Sequence, residues 1–106
     1  MDAKETLSNH LVKAVIANDV KLVSELLNLG ADPNWSLDTA SVTPLHHAAQ
    51  NNSLEVIPLL VEAGALLEAQ TEPDGYTATE IALLHGNHRI AQTLIAYLNE
   101  SDSRKH

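Results

Sequence analysis

An all-α fold, built from about three helix–turn–helix units in series with short turns and loops at their tips, is predicted by three observations. First, the text of the chain repeats. Subtracting residue numbers gives 34 for Gly64 and Gly30, Leu60 and Leu26, Val56 and Leu22, Ala48 and Ala14, and Leu45 and Leu11. The same 34 separates Ala82 from Ala48, Ile90 from Val56, Leu94 from Leu60 and Thr77 from Thr43. A period of about 20–50 residues marks stacked hairpins, in which no unit buries its apolar face alone. Second, apolar residues within each unit recur at helical spacing and are punctuated by Gly or Asn. Third, aromatic residues make up only 3% of the chain and Phe is absent, so the core must be Leu, Val, Ile and Ala, as suits close-packed short helices.

The units run approximately over residues 4–36, 37–70 and 71–98. Unit one offers Leu7, Leu11, Ala14 and Val15, then Asn18-Asp19 as turn and cap, then Leu22, Val23, Leu26 and Leu27; it reads as the N-terminal end of the stack. In unit two, Thr43 suits an N-cap and Pro44 the first helical position, where a missing N–H costs nothing, so a helix is expected from Pro44 to Asn51. Ser53 is expected to cap a second helix from Leu54 to Ala63, with Val56, Leu59 and Leu60 buried and Gly64 supplying a left-handed exit. Pro58 conflicts with that helix, because it removes a backbone bond and crowds the carbonyl of Leu54, at a cost approaching ~3 kcal/mol in a fully formed helix; a kink or a delayed start is expected. Unit three starts by another device, the capping box Thr77-Ala78-Thr79-Glu80. Gly86-Asn87 then turns the chain, and Ile90, Leu94, Ile95 and Leu98 form the inner stripe of the last helix. Residues 99–106 are polar and are expected to fray.

Residues 43–49 read Thr-Pro-Leu-His-His-Ala-Ala, residues 60–65 continue as Leu-x-x-x-Gly-Ala, and Gly30-Ala31-Asp32-Pro33-Asn34 closes unit one. This wording resembles the ankyrin repeat over residues 4–98, most specifically in unit two, well in unit three and partially in unit one. A tetratricopeptide array would need its own Trp, Gly, Tyr and Pro landmarks, which are missing at the required spacing. Ankyrin units are usually about 33 residues long, so each junction here carries one extra residue, near Leu37 and Thr71.

The resemblance implies a solenoid whose output is protein binding, with no reaction, cofactor or metal. Partners of such proteins lie along the turn tips and the inner face of the first helices. Carried over position by position, that surface is Trp35, Ser36, Leu37, Asp38, Thr39 and Val42 at the first junction, with Gln50 and Asn51 on unit two. Gln70, Glu72, Pro73, Asp74, Tyr76, Leu84 and His85 belong to the next unit, and His47 occupies a variable family position facing the groove. Two readings of Trp35, the only Trp, stand open: an exposed interface anchor, or an indole folded back as a lid over the helices. His46 matches the family's structural histidine, whose ring ties neighbouring turns together.

The remaining chemistry is narrower. Without Cys there are no disulfides, thiolate zinc sites or Cys nucleophile. No Gly-x-Ser-x-Gly elbow, phosphate-cradling loop or His-Glu-x-x-His helix appears. A metal-dependent enzyme or sensor built from His46, His47, Asp74, His85 and His88 is the competing class, but Gly86-Asn87 should break the helix between the last two histidines. The start, Met1-Asp2-Ala3-Lys4-Glu5, lacks the pattern of a secretory signal, and no apolar run reaches the ~18 residues of a membrane span, so a cytoplasmic protein is expected.

Charge placement says more than the net value of −8. From Leu22 to His88 there is no Lys or Arg, whereas Glu25, Asp32, Asp38, Glu55, Glu62, Glu68, Glu72, Asp74 and Glu80 are all acidic. Such a field repels nucleic acid and anionic lipid, and it speeds association with a cationic partner by about 10- to 1000-fold at low salt. The expectation is a basic partner protein held by an acidic groove and masked, inhibited or scaffolded there; a stoichiometric inhibitor of the immunity-protein or antitoxin type is a narrower version. A monomer is expected, or weak self-association through apolar end faces.

Overall fold

Asp2 opens the first helix by accepting the amide of Lys4 at 3.0 Å, and the same local logic of caps and left-handed exits shapes every later turn. The computed structural model describes residues 2–103, and the described residues form six helices: α1 (Ala3–Ile16), α2 (Val20–Asn28), α3 (Pro44–Gln50), α4 (Ile57–Glu62), α5 (Ala78–Leu84) and α6 (His88–Ser103). They pair as α1–α2, α3–α4 and α5–α6; α1, α3 and α5 pack side by side as the front row, and α2 packs on α4 behind. The expected all-α stack of three helical hairpins is the architecture found.

Each exit repeats at the 34-residue period. Gly30 and Gly64 come after α2 and α4 with φ of 109° and 103°, a region closed to most L-residues. Their left-handed turn lets Ala31 donate to the Leu26 carbonyl at 3.0 Å and Ala65 to the Leu60 carbonyl at 2.9 Å, which satisfies helix-end carbonyls. Asn18, Asn52 and Gly86 do the same after the front helices, with φ of 54°, 57° and 72°. Position 19 and its counterparts then diverge: Asp19 caps α2 through the Leu22 amide at 3.2 Å, whereas Ser53 and Asn87 reach back to the preceding unit. Ser53 Oγ donates to the Ile16 carbonyl at 3.4 Å, and Asn87 Nδ2 to the Ala49 carbonyl at 2.7 Å.

The core is aliphatic and continuous through the stack: Leu11, Val15, Val23, Leu45, Val56, Ile57, Leu60, Ile90 and Leu94 are buried, with Ala14, Ala48 and Ala82 allowing close approach of the front helices. Burial of these faces lets such short helices hold, since an isolated helix below about 12 residues is marginal.

Three sequence expectations need correction. The second helix of unit two starts at Ile57, the delayed start expected from Pro58, but Ser53 is used between units rather than as its cap. Pro58 thereby becomes the second residue of α4, where no intrahelical bond is required of its nitrogen and the Leu54 carbonyl lies outside the helix. Leu22 and Ile95, expected in the buried stripes, are 39% and 43% exposed, because among the described residues units one and three are each packed on one side only. Residues 99–103 of the expected frayed tail continue α6, since extending an existing helix adds a bond per residue without a new nucleation cost; residues 104–106 of that tail lie outside the described residues.

Candidate partner-binding surface

The tips are loops 32–43 and 66–77, and they are tied to each other and to the helices by directed bonds. Asp32 Oδ1 accepts the Asn34 amide at 2.8 Å and fixes the first turn. Asn34 then bridges to the next unit: its Nδ2 donates to the Gly64 carbonyl at 3.1 Å and its Oδ1 accepts the Leu66 amide at 2.8 Å. At the outer end the Glu72 amide donates to the Ala40 carbonyl at 2.7 Å. The second tip closes on itself, with Thr71 donating to the Tyr76 carbonyl at 2.9 Å, Tyr76 to Thr71 Oγ1 at 3.1 Å and Gly75 to the Thr71 carbonyl at 2.8 Å.

His46 is the bolt beneath these tips. The Thr43 amide donates to Nδ1 at 3.0 Å and the Thr43 hydroxyl to the same nitrogen at 2.9 Å, so Nδ1 is the unprotonated position. Nε2–H then donates to the carbonyls of Ala69 at 2.9 Å and Tyr76 at 3.0 Å. The ring is 1% exposed, and burial lowers its pKa from 6.5 against the smaller raising effect of the two carbonyls. Both nitrogens are thus engaged, leaving no lone pair for a metal. His85 Nδ1–H is likewise given to the Ile81 carbonyl at 2.9 Å. No group of three His, Cys, Asp or Glu side chains suited to a metal ion occurs among the described residues.

The sequence-predicted surface divides in three. Leu37, Asp38, Thr39, Gln50, Asn51, Gln70, Glu72, Pro73, Asp74, Tyr76, Leu84 and His85 are exposed, with Leu84 at 65%. Ser36, Val42 and His47 are half-buried. Several of these are held in place: Ser36 Oγ donates to the Asp38 carbonyl at 2.8 Å, Asp38 Oδ1 accepts the Ala40 amide at 2.9 Å, Asn51 Nδ2 donates to the His47 carbonyl at 2.8 Å and Gln70 Nε2 to the Gly75 carbonyl at 3.2 Å. Burial and the neighbouring His46 lower the His47 pKa, partly offset by the charge of Asp38. Trp35 stands apart. Its indole is half-buried and its N–H donates to Asn9 Oδ1 of α1 at 2.8 Å, so the ring folds back over unit one as a lid.

Sequence reasoning missed one part of the surface. Tyr76, Glu80, Leu83 and Leu84 line an open cleft on α5; Leu83 lay in the sequence unremarked, although it stands 34 residues beyond Ala49, and Ala49 34 beyond Val15.

A family model described as ankyrin repeats (3 copies) matches residues 11–105. The chain is 34% identical over 92 residues, 87% of its length, to the ankyrin repeat and KH domain-containing protein mask-1 of Caenorhabditis elegans, covering 3% of that protein. It is 32% identical over 89 residues, 84% of its length, to cyclin-dependent kinase inhibitor 2A of Monodelphis domestica, covering 49% of it. It is also 46% identical over 55 residues, 52% of its length, to the 2-5A-dependent ribonuclease of Mus musculus, covering 8%. The chain therefore spans less than half of the length of each of these relatives.

Proposed function

The chain belongs to the ankyrin-repeat family, and from that premise we propose that it binds a basic partner protein through its acidic tips and front helices, without catalysing a reaction. Ankyrin repeats are protein-interaction modules. The observation that carries the finer reading is the cation-free stretch from Leu22 to His88, which brings Asp38, Glu72 and Asp74 to the exposed tips with no Lys or Arg between them. These carboxylates sit in water, where they contribute to encounter rate and selectivity more than to affinity. Tyr76, Leu37 and Leu84 supply apolar contact area beside them. The tips are pre-organised by the bonds of His46 and Asn34, so less ordering entropy is lost on binding.

Inhibition by masking is the narrower form of this reading, and the likeness to cyclin-dependent kinase inhibitor 2A over 84% of the chain supports it. No helix among the described residues is long and apolar enough to cross a membrane, and a cytoplasmic site of action fits the absence of Cys.

The test is affinity capture with the intact chain as bait at low and high ionic strength, repeated with Tyr76→Ala and with Asp38→Asn/Asp74→Asn. The expected result is one basic protein retained at low salt and lost both at high salt and from the variants. Equal capture at both ionic strengths removes the electrostatic reading; equal capture by all variants moves the surface elsewhere. Trp35→Ala should leave capture unchanged, because its indole serves unit one.

A further inference from the structure

We propose that the partner segment received by this chain is an amphipathic helix, apolar along one edge and basic along the other, laid across α1, α3 and α5; this rests on the basic-partner reading above and gives that partner a form. The carrying observation is a position that faces outward in every unit. Ile16, Gln50 and Leu84 stand 34 residues apart and are the last residues of the three front helices. Ile16 is 42% exposed and Leu84 65%, and Gln50 is exposed although a front helix packs on each side of α3. Exposure here is therefore set by the direction of the helix face and not by a missing neighbour. The residues just before them, Val15 and Ala49, point along the stack and are buried.

The front row thus has two unlike borders. Loops 32–43 and 66–77 lead into the N-terminal ends of α3 and α5 and carry the exposed carboxylates Asp38, Glu72 and Asp74, whereas the C-terminal ends of α1 and α5 present Ile16 and Leu84. Asp38 is close enough for its charge to act on His47, in the row between the borders. Lys13 stands in that row only on unit one, so the basic residues of the occupant belong over units two and three. The seven-residue α3 and α5 are about 10 Å long at 1.5 Å per residue, and a helix with its side chains is about 10–12 Å across, so one helix reaches both borders at once. An extended segment fits worse. Among the described residues there is no strand edge to pair with it, and its own amides and carbonyls would meet helix faces, whereas a helix brings its backbone bonds already made.

Fluorescence anisotropy with labelled synthetic peptides of about 14 residues tests this, a length of about 21 Å that covers three helices packed about 8–10 Å apart. The probes are leucine–lysine at helical spacing, leucine–lysine in strict alternation, and leucine–glutamate at helical spacing. The first should bind the intact chain about tenfold or more tightly than either other, through both pattern and charge. Leu84→Ser and Ile16→Ser should each weaken it about 3- to 10-fold, the scale of a partly buried aliphatic side chain. Asp38→Asn/Asp74→Asn should flatten its salt dependence. Leu83→Ser, exposed but turned along the stack, should bind as the wild type does, and melting temperatures check that every variant is folded. Equal binding of the alternating peptide overturns the helical occupant and leaves the basic partner standing; equal binding of the glutamate peptide removes the basic partner and this proposal with it. A loss in Leu83→Ser matching that in Leu84→Ser overturns the front face as the site. Sedimentation showing self-association of the chain alone that Leu84→Ser abolishes would place a second copy there instead.

Discussion

Units two and three begin their front helices with the same threonine, but the residues after it differ, and so does what they hold. Unit two has Pro44 and His46, and the His46 ring gathers Thr43 of its own helix with Ala69 and Tyr76 of the following tip. Unit three has Ala78 and Glu80, and the carboxylate returns only to its own start, accepting the Thr77 amide at 3.0 Å and hydroxyl at 3.1 Å while Thr77 Oγ1 accepts the Glu80 amide at 3.2 Å. Both residues solve the same local problem, the orphan amides of a helix start. Only histidine also carries a donor to extend outward, and in unit two it spends that donor on the following tip.

The largest expected effect comes from removing that donor. His46→Ala leaves the Thr43 amide and the Ala69 and Tyr76 carbonyls without their partner and opens a void beneath the tips, a loss of about 2–4 kcal/mol by the usual costs of unmade buried bonds and cavities. Urea unfolding checks it. A loss below about 1 kcal/mol, within the range of a simple cap, would make unit two no more tightly joined than unit three.

Acid provides the same comparison without mutation. The folded His46 pKa lies below the unfolded 6.5, chiefly through burial, so the native state binds the proton less readily than the unfolded chain. Its contribution is fully present above the unfolded value and is lost as pH falls through 6.5 toward the lowered folded value. His47 shifts in the same direction, also chiefly through burial. Melting temperature should therefore fall across this window in the wild type and fall less in His46→Ala, the remainder belonging to His47. An identical slope in both would exclude His46 as the source.

Glu80→Ala should cost about 0.3–1.5 kcal/mol, the ordinary value of a capping interaction, and Glu80→Gln less, since an amide can still accept the Thr77 amide. Unfolding of both beside His46→Ala sharpens the contrast: a Glu80 effect equal to that of His46 would mean that the carboxylate holds more than its own helix.

Features set by neighbours in sequence were legible in the chain: the Thr43-Pro44 and Thr77–Glu80 starts, the glycine exits at Gly30 and Gly64, and the period that aligns them. Features set by neighbouring units were not. Leu22 and Leu83 have the helical phase of buried residues, yet they are exposed where their counterparts Val56 and Ala49, packed between units, are buried. Ser53 has the makeup of a cap but is drawn to the Ile16 carbonyl of the unit before it, and Trp35 comes after a turn whose sequence does not disclose that Asn9 awaits its N–H. Most tip residues of the candidate surface are exposed as expected, because the repeat fixes where the loops fall; which of them a partner touches depends on the partner's surface.

Pro58 supplies the smallest expected effect and a comparison among all three rear helices. α2 starts at Val20 and α6 at His88, positions that both correspond to Leu54, whereas α4 starts three residues later at Ile57. In a helix begun at Leu54 the proline would be the fifth residue, with its ring against the Leu54 carbonyl and a cost near ~3 kcal/mol. The delayed start makes it the second residue and removes both penalties, at the expense of one turn of helix. Pro58→Ala should then change stability by no more than about 1 kcal/mol, because the loss of proline's restraint on the unfolded chain, about 0.4–1 kcal/mol, opposes any gain from extending α4 backward. A gain in helical circular dichroism with little change in urea midpoint is the expected pattern. Stabilisation of about 3 kcal/mol would instead show that the wild-type proline sits strained inside a longer helix, and that the rear helix of unit two starts where those of units one and three do.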